Sequence, residues 1–170
     1  IPNYRLPKAL VAEEIAAIRR LGVEIRTGKA LGRDFTLASL WADGYDAILL
    51  ATGAHKGGSL DVPGAVSLSN GDGVRDAVSF LRRVNLGERP AVGKRVAVVG
   101  GGNTAIDAAR CALRLGADVA YVVYRRTRRE MPAHEREIAD AEAEGVRILY
   151  LSIPESVVVD DGRVAGLRCV

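Results

Sequence analysis

The residues with the clearest chemical purpose are three consecutive glycines. Gly100-Gly101-Gly102 stand between an apolar run, Arg95 to Val99, and a stretch of helical spacing that opens at Asn103. Gly100, Gly102 and Ala105 fit the spacing G-x-G-x-x-G/A at a strand-to-helix junction, the context in which that spacing binds a dinucleotide. Gly100 permits a tight turn. Gly102 has no Cβ to hold the backbone away from a pyrophosphate, and Ala105 keeps the helix close to the strand. The amides near Asn103 and Thr104 fall at the helix N-terminus, where unpaired N–H groups and the helix dipole favour an anion. A glycine-rich turn with only a structural purpose is the alternative, and the strand and helix on either side weigh against it. Asp107 lies one turn beyond Asn103. It either contacts the nicotinamide end of a dinucleotide or complements the helix N-terminal region electrostatically.

A second group follows the next strand. An NAD site carries Asp or Glu about 20 residues after the glycines, to accept from the ribose 2′-OH. Here Val122 to Arg129 contains no carboxylate but four arginines, Arg125, Arg126, Arg128 and Arg129. Guanidinium forks suit a 2′-phosphate, and Arg125 can stack on adenine, so the pattern favours NADPH over NADH. A solvated basic loop and a nucleic-acid patch are the alternatives, and neither accounts for the placement at a strand's C-terminal end.

These residues need an alternating scaffold, and the chain has one. Apolar spacing predicts helices over Leu6 to Leu21, Val74 to Leu86, Asn103 to Leu115 and Ala133 to Glu144, with a short helical turn over Thr36 to Trp41. Strands are expected at Val23 to Thr27, Tyr45 to Thr52, Arg95 to Val99, Val119 to Tyr124 and Val146 to Leu151. The unbroken apolar run Tyr45 to Thr52 reads as a strand buried on both faces. His55 to Gly73 is rich in Gly and Ser and reads as a linker or loop. Val157 to Asp160 and Arg163 to Cys169 read as an antiparallel hairpin turning at Asp161-Gly162. Strands separated by helices imply parallel β-α-β units and an α/β fold. An internal echo, Leu6-Pro7, Glu14-Ile15 and Gly22-Val23 against Met131-Pro132, Glu137-Ile138 and Gly145-Val146, suggests a duplicated nucleotide-binding unit, with chance similarity between two amphipathic helix–strand pairs as the alternative.

Composition narrows the classes. The 170 residues are 48% hydrophobic and 26% charged, as in a globular domain, and no apolar run approaches the roughly 18 residues of a membrane span. Lys and Arg number 24 against 21 Asp and Glu; the net charge of +3 is too mild to argue for general nucleic-acid binding. Cys111 and Cys169 form no C-x-x-C pair, zinc pattern or iron–sulfur ligand run, so both thiols are expected to be buried rather than reactive, in a reducing cytoplasmic setting. With two isolated His, a metal site is not expected. The opening residues Ile1-Pro2-Asn3-Tyr4-Arg5 carry no secretory signal and read like the middle of a longer chain.

Together these segments resemble the pyridine-nucleotide-linked flavoproteins of the glutamate synthase small-subunit type, and the flavin-containing half of dihydropyrimidine dehydrogenase. The resemblance rests on Ile1-Pro2-x-Tyr4-Arg5-Leu6-Pro7, on Gly44-Tyr45-Asp46-Ala47 with Ala51-Thr52-Gly53, on Gly100 to Ala105 with Asp107, and on Tyr124-Arg125-Arg126-x-Arg128-x-Glu130-Met131-Pro132. It implies a Rossmann-like FAD/NAD(P)-binding fold, a parallel sheet flanked by helices, with the small antiparallel hairpin near the C-terminus. It also implies hydride transfer from NADPH to FAD, with electrons passed on to iron–sulfur clusters of a separate region and a large catalytic subunit as partner. Gly100, Gly102, Asn103, Thr104, Ala105, Asp107, Arg125, Arg126 and Arg129 would then hold NADPH, while Arg5, Leu31, Thr52 and Gly53 would belong to the FAD side. Residues 1–59 would be the tail of an FAD-binding domain and 60–170 an NADPH-binding domain stopping short of its end. The family's first glycine fingerprint, its later Gly-Asp flavin motif and its cysteine ligands have no counterpart here. A fragment is therefore expected, one that does not retain FAD, is not active alone, and has open sheet edges that invite dimerisation. A non-catalytic nucleotide-binding or assembly module is the alternative.

Overall fold

The structure is a computed structural model describing residues 1–65 and 73–170. Two compact units divide the chain: Ile1–Arg5 together with His55–Val170, and Leu6–Ala54.

The larger unit is built on three parallel strands, β1 (Arg95–Val99), β2 (Val119–Val123) and β3 (Arg147–Leu149), in the order β1-β2-β3. Register pairs Val96 with Ala120, Val98 with Val122, and Val122 with Ile148. Parallel neighbours need crossover connections, and helices α4 (Asn103–Arg114) and α5 (Glu135–Ala143) supply them. The core lies where these helices meet the sheet. Ile106, Val122 and Ile138 are its largest fully buried side chains, and Ala109, Ala120 and Ala141 let the layers approach closely. Helix α3 (Ala77–Asn85) starts at Asp76, whose carboxylate accepts from the Val78 and Ser79 amides, and sets Leu81 against Ala108 and Cys111 of α4. These elements follow the expected ones within a few residues at each end.

The C-terminal hairpin joins β4 (Pro154–Asp160) to β5 (Arg163–Cys169). Asp161 and Gly162 both have positive φ, as a two-residue turn of this hand requires. The stretch read as a linker has more purpose than that reading gave it. Ala65 is buried against Val157, with Leu60, Val62 and Leu167 around them, and the Val157 amide donates to the Pro63 carbonyl at 2.9 Å. Its Gly and Ser content masks three apolar residues that pin it to the hairpin; its remainder over 66–72 lies outside the described residues.

The Leu6–Ala54 unit contains α1 (Lys8–Arg20) and α2 (Leu37–Ala42). Gly22, at φ +90°, follows α1, and a reciprocal pair of hydrogen bonds between Thr36 and Ser39 caps α2. The two strands expected here do not form. Val23 to Thr27 and Tyr45 to Thr52 have extended sequence character but no ladder, and the bridge in this unit joins Leu31 to Phe35. Leu49 is 90% exposed and Leu50 59%, so the segment expected to be buried on both faces is buried on neither. A strand is completed by another strand's N–H and C=O groups. Among the described residues nothing offers them to these two segments. No helix of the described residues is long and apolar enough to cross a membrane.

Candidate functional site

At the C-terminal end of β1 the backbone turns through the three glycines. Gly100 sits at φ +135°, a region that L side chains avoid, and its amide donates to the Val123 carbonyl at 3.0 Å. A Cβ at Gly100 would meet Ala105 Cβ at 3.5 Å, ordinary contact, so the backbone angle and not space demands glycine there. Gly101 is buried, and a Cβ on it would enter the ring of Tyr124. Gly102 is open: a Cβ there would find only Pro132 Cγ, at 4.0 Å. Gly102 is also the N-cap of α4, and no side chain caps that helix. The first amides of α4 are therefore left to a ligand or to water.

The loop after β2 is fastened around this turn. Ser152 and Leu151 amides donate to the carbonyls of Tyr124 and Arg126 at 3.0 and 3.2 Å. The Tyr124 hydroxyl donates to the Glu130 carbonyl at 2.7 Å. Glu130 folds back to accept from the Thr127 amide and hydroxyl at 3.1 and 3.0 Å, and these bonds hold its carboxyl below the ordinary carboxylate range. Beyond that turn the Ala133 amide donates to the Gly101 carbonyl, and the His134 amide to Asn103 Oδ1, each at 3.1 Å. The glycine turn and the arginine loop are thus one cross-braced structure. Arg125, Arg126 and Arg129 are exposed and form no ion pair among the described residues. Arg128 differs: it lies between Glu135 and Glu142, each at 2.7 Å, which raise its pKa further above the ordinary value.

Asp107 is 4% exposed, and its carboxylate takes the Arg5 guanidinium at 2.8 Å and the Tyr4 hydroxyl at 3.4 Å. The Tyr4 ring lies between the guanidinium groups of Arg110 and Arg114, 4.4 and 4.1 Å from its centroid. Arg110, 5% exposed, reaches Glu137 at 2.8 Å and Glu144 at 2.7 Å. Burial works against the Arg110 charge, yet these carboxylates hold its pKa above the ordinary value. Burial also raises the Tyr4 phenol, the Cys111 thiol and the half-buried Cys169 thiol. Asp107 and Arg5, assigned from sequence to opposite cofactors, are therefore partners of each other.

The structure brings Gly100, Gly102, Asn103, Thr104, Ala105, Arg125, Arg126 and Arg129 together at the C-terminal ends of β1 and β2. Leu31, Thr52 and Gly53 lie in the other unit; all three are exposed, with Gly53 at φ +67°. Two contacts escape a reading of the sequence. Tyr124, a residue of the arginine motif, is buried behind Gly101, and Glu142 is two helical turns from Glu135 on the face that takes Arg128. The trace of the first contact is a glycine at a fingerprint position where any residue is allowed.

Residues 22–167 match the family of pyridine nucleotide-disulphide oxidoreductases. The chain belongs to that family. It is 47% identical over 171 residues to the beta subunit of NADP(+)-dependent formate dehydrogenase of Moorella thermoacetica. That alignment covers 100% of this chain and 24% of the relative. It is 35% identical over 179 residues to the small chain of glutamate synthase [NADPH] of Azospirillum brasilense, covering 100% of this chain and 36% of that one. The chain thus spans about a quarter to a third of these relatives. Among solved structures, FprA of Mycobacterium tuberculosis in complex with NADPH superposes with a TM-score of 0.57 at 20% identity, over 82% of this chain and 49% of FprA. The Rossmann-like α/β fold implied by the resemblance to glutamate synthase small subunits is the one present, and that resemblance has a counterpart among the chain's relatives.

Proposed function

We propose that this chain is the NADPH-binding portion of an FAD-dependent oxidoreductase of the glutamate synthase small-subunit type. One observation carries the reading: the open Gly102 and the uncapped start of α4 stand beside three exposed arginines that form no ion pair among the described residues. The fit of the residues to a pyridine dinucleotide is good. Gly102 leaves room for a pyrophosphate, and the amides at Asn103 and Thr104 supply donors to it. Arg125, Arg126 and Arg129 are cations of the right fork geometry for a 2′-phosphate, with no carboxylate at the strand end to accept from a 2′-OH.

The fit to FAD is poorer. Leu31, Thr52 and Gly53 offer exposed surface and no glycine turn for a second pyrophosphate, and Arg5 is engaged by Asp107. FAD is accordingly assigned to the protein that carries this chain, with residues 1–59 on its side and 60–170 on the NADPH side. Ile1–Arg5 packs within the nucleotide unit despite its position in the sequence.

With both cofactors bound, the nicotinamide and the flavin supply the hydride chemistry. The chain's own residues bind and orient. The glycine turn sets the depth of the pyrophosphate, the arginine loop selects the phosphorylated ribose, and the Asp107–Arg5 pair fixes the first five residues against α4. No acid–base pair is needed for hydride transfer, in keeping with a site built of glycine, arginine and backbone amides. Onward transfer to iron–sulfur clusters, a large catalytic subunit and a cytoplasmic setting belong to the same proposal. Nucleic acid and membrane are not among the partners proposed.

Anaerobic mixing of NADPH or NADH with the flavin-loaded protein that carries this chain tests the reading. Faster bleaching of the flavin by NADPH supports it. Binding of NADPH without bleaching would favour the alternative, a nucleotide-binding assembly module.

A further inference from the structure

Of the four arginines after β2, Arg128 is the one the fold has already occupied. Its Nη1 donates to both oxygens of Glu142 at 2.7 Å, its Nη2 and Nε donate to Glu135 Oε1 at 2.7 and 3.0 Å, and Nη1 lies 3.4 Å from the Tyr150 hydroxyl. Glu135 and Glu142 are two turns apart on α5, so they share a face and would repel each other without a cation between them. Tyr150 follows β3, while Arg128 opens the 3₁₀ turn Arg128–Glu130. One guanidinium therefore ties that turn to α5 and to the end of β3. The turn sits inside the arginine loop, between Arg125-Arg126 and Arg129.

Exposed ion pairs add little to stability, so a clamp of this kind does more to fix orientation than to hold the fold. Arg128 is 37% exposed, and its charge is already balanced by two carboxylates. The three neighbouring arginines repel one another and form no ion pair among the described residues to set their directions.

We propose that Arg128 is a positioning residue for cofactor selection: clamped by Glu135 and Glu142, it holds the loop so that Arg125, Arg126 and Arg129 converge on the 2′-phosphate without touching it itself. This rests on the NADPH reading above.

The test measures NADPH and NADH dissociation constants and Tm in the protein that carries this chain. The variants are Arg128→Met, Glu142→Gln, Arg125→Ala/Arg126→Ala, and the last combined with Arg128→Met. Arg128→Met and Glu142→Gln should each weaken NADPH by about tenfold, the worth of one charge-assisted hydrogen bond, and leave NADH and Tm unchanged. In the Arg125→Ala/Arg126→Ala background, Arg128→Met should cost much less, because it acts through those arginines. Equal loss of NADPH and NADH would make Arg128 merely structural and overturn the assignment. Tighter NADPH binding in Glu142→Gln would mean that Arg128 is a phosphate ligand held off its target, and an undiminished effect in the background variant would mean direct contact; either overturns it. A wild-type protein with no preference between the two nucleotides would instead remove the NADPH reading, and this inference with it.

Discussion

A side chain at Gly101 would run into the ring of Tyr124, whereas one at Gly102 would meet only Pro132 Cγ at 4.0 Å. Two adjacent glycines thus have separate reasons to be glycine, packing for the first and ligand approach for the second. Gly101→Ala should destabilise the protein by about 1–3 kcal/mol, the ordinary cost of overpacking, and lower Tm accordingly. Gly102→Ala should leave Tm within error and weaken NADPH binding at least about tenfold, as read by calorimetry. The reverse pattern would mean that the two positions have been assigned the wrong way round. Glu144 provides a second test at this scale. It accepts from Arg110 at 2.7 Å and from Arg114 at 2.6 Å, and the Arg110 bond chiefly holds its carboxyl below the ordinary 4.5. A lowered folded-state pKa means that the unfolded chain binds the proton more readily. The stabilisation is then complete above about 4.5 and is lost as pH falls through the folded value. Glu144→Gln should lower Tm at neutral pH and flatten its fall on acidification. Parallel acid limbs in the two proteins would show that this carboxylate is not linked to folding.

Legibility in the sequence depended on whether an element carries its partners within the chain. β1, α4, β2, α5 and the hairpin each find their neighbours among the described residues, and each lies close to its expected place. Gly100, Gly102 and Ala105 were readable because a turn into a helix N-terminus imposes its own residue types. Tyr45 to Thr52 departs from expectation for the opposite reason. Its apolar run fits a buried strand, but the strand is a property of a pair, and Leu49 and Leu50 stand exposed. The pairing of Arg5 with Asp107 was not legible either, because it joins residues distant in sequence, and the clamp on Arg128 was not because it joins a turn to a helix with no fixed spacing. Hydrogen exchange should reflect the difference between elements. Amides of Val98, Tyr121 and Val122 are expected to be protected, and those of Ala47 to Thr52 to exchange rapidly. Strong protection over Ala47 to Thr52 would contradict the absence of a ladder there.

As a whole molecule, the chain combines a cored nucleotide-binding unit with a Leu6–Ala54 unit that leaves its apolar residues open. Leu21, Trp41, Leu49 and Leu50 are each more than half exposed. The chain spans 24% of its formate dehydrogenase relative and 36% of its glutamate synthase relative. Function at this scale turns on cofactor choice, and the net charge of +3 does not determine it. The decisive quantity is the ratio of NADH to NADPH dissociation constants, measured by calorimetry for the wild-type protein and for Arg125→Ala/Arg126→Ala. The expected result is tighter NADPH binding in the wild type, with the ratio collapsing by about ten- to a hundredfold in the variant through loss of NADPH affinity alone. Equal affinities in the wild type, or a ratio unmoved by the substitutions, would contradict the assignment of this loop to the 2′-phosphate.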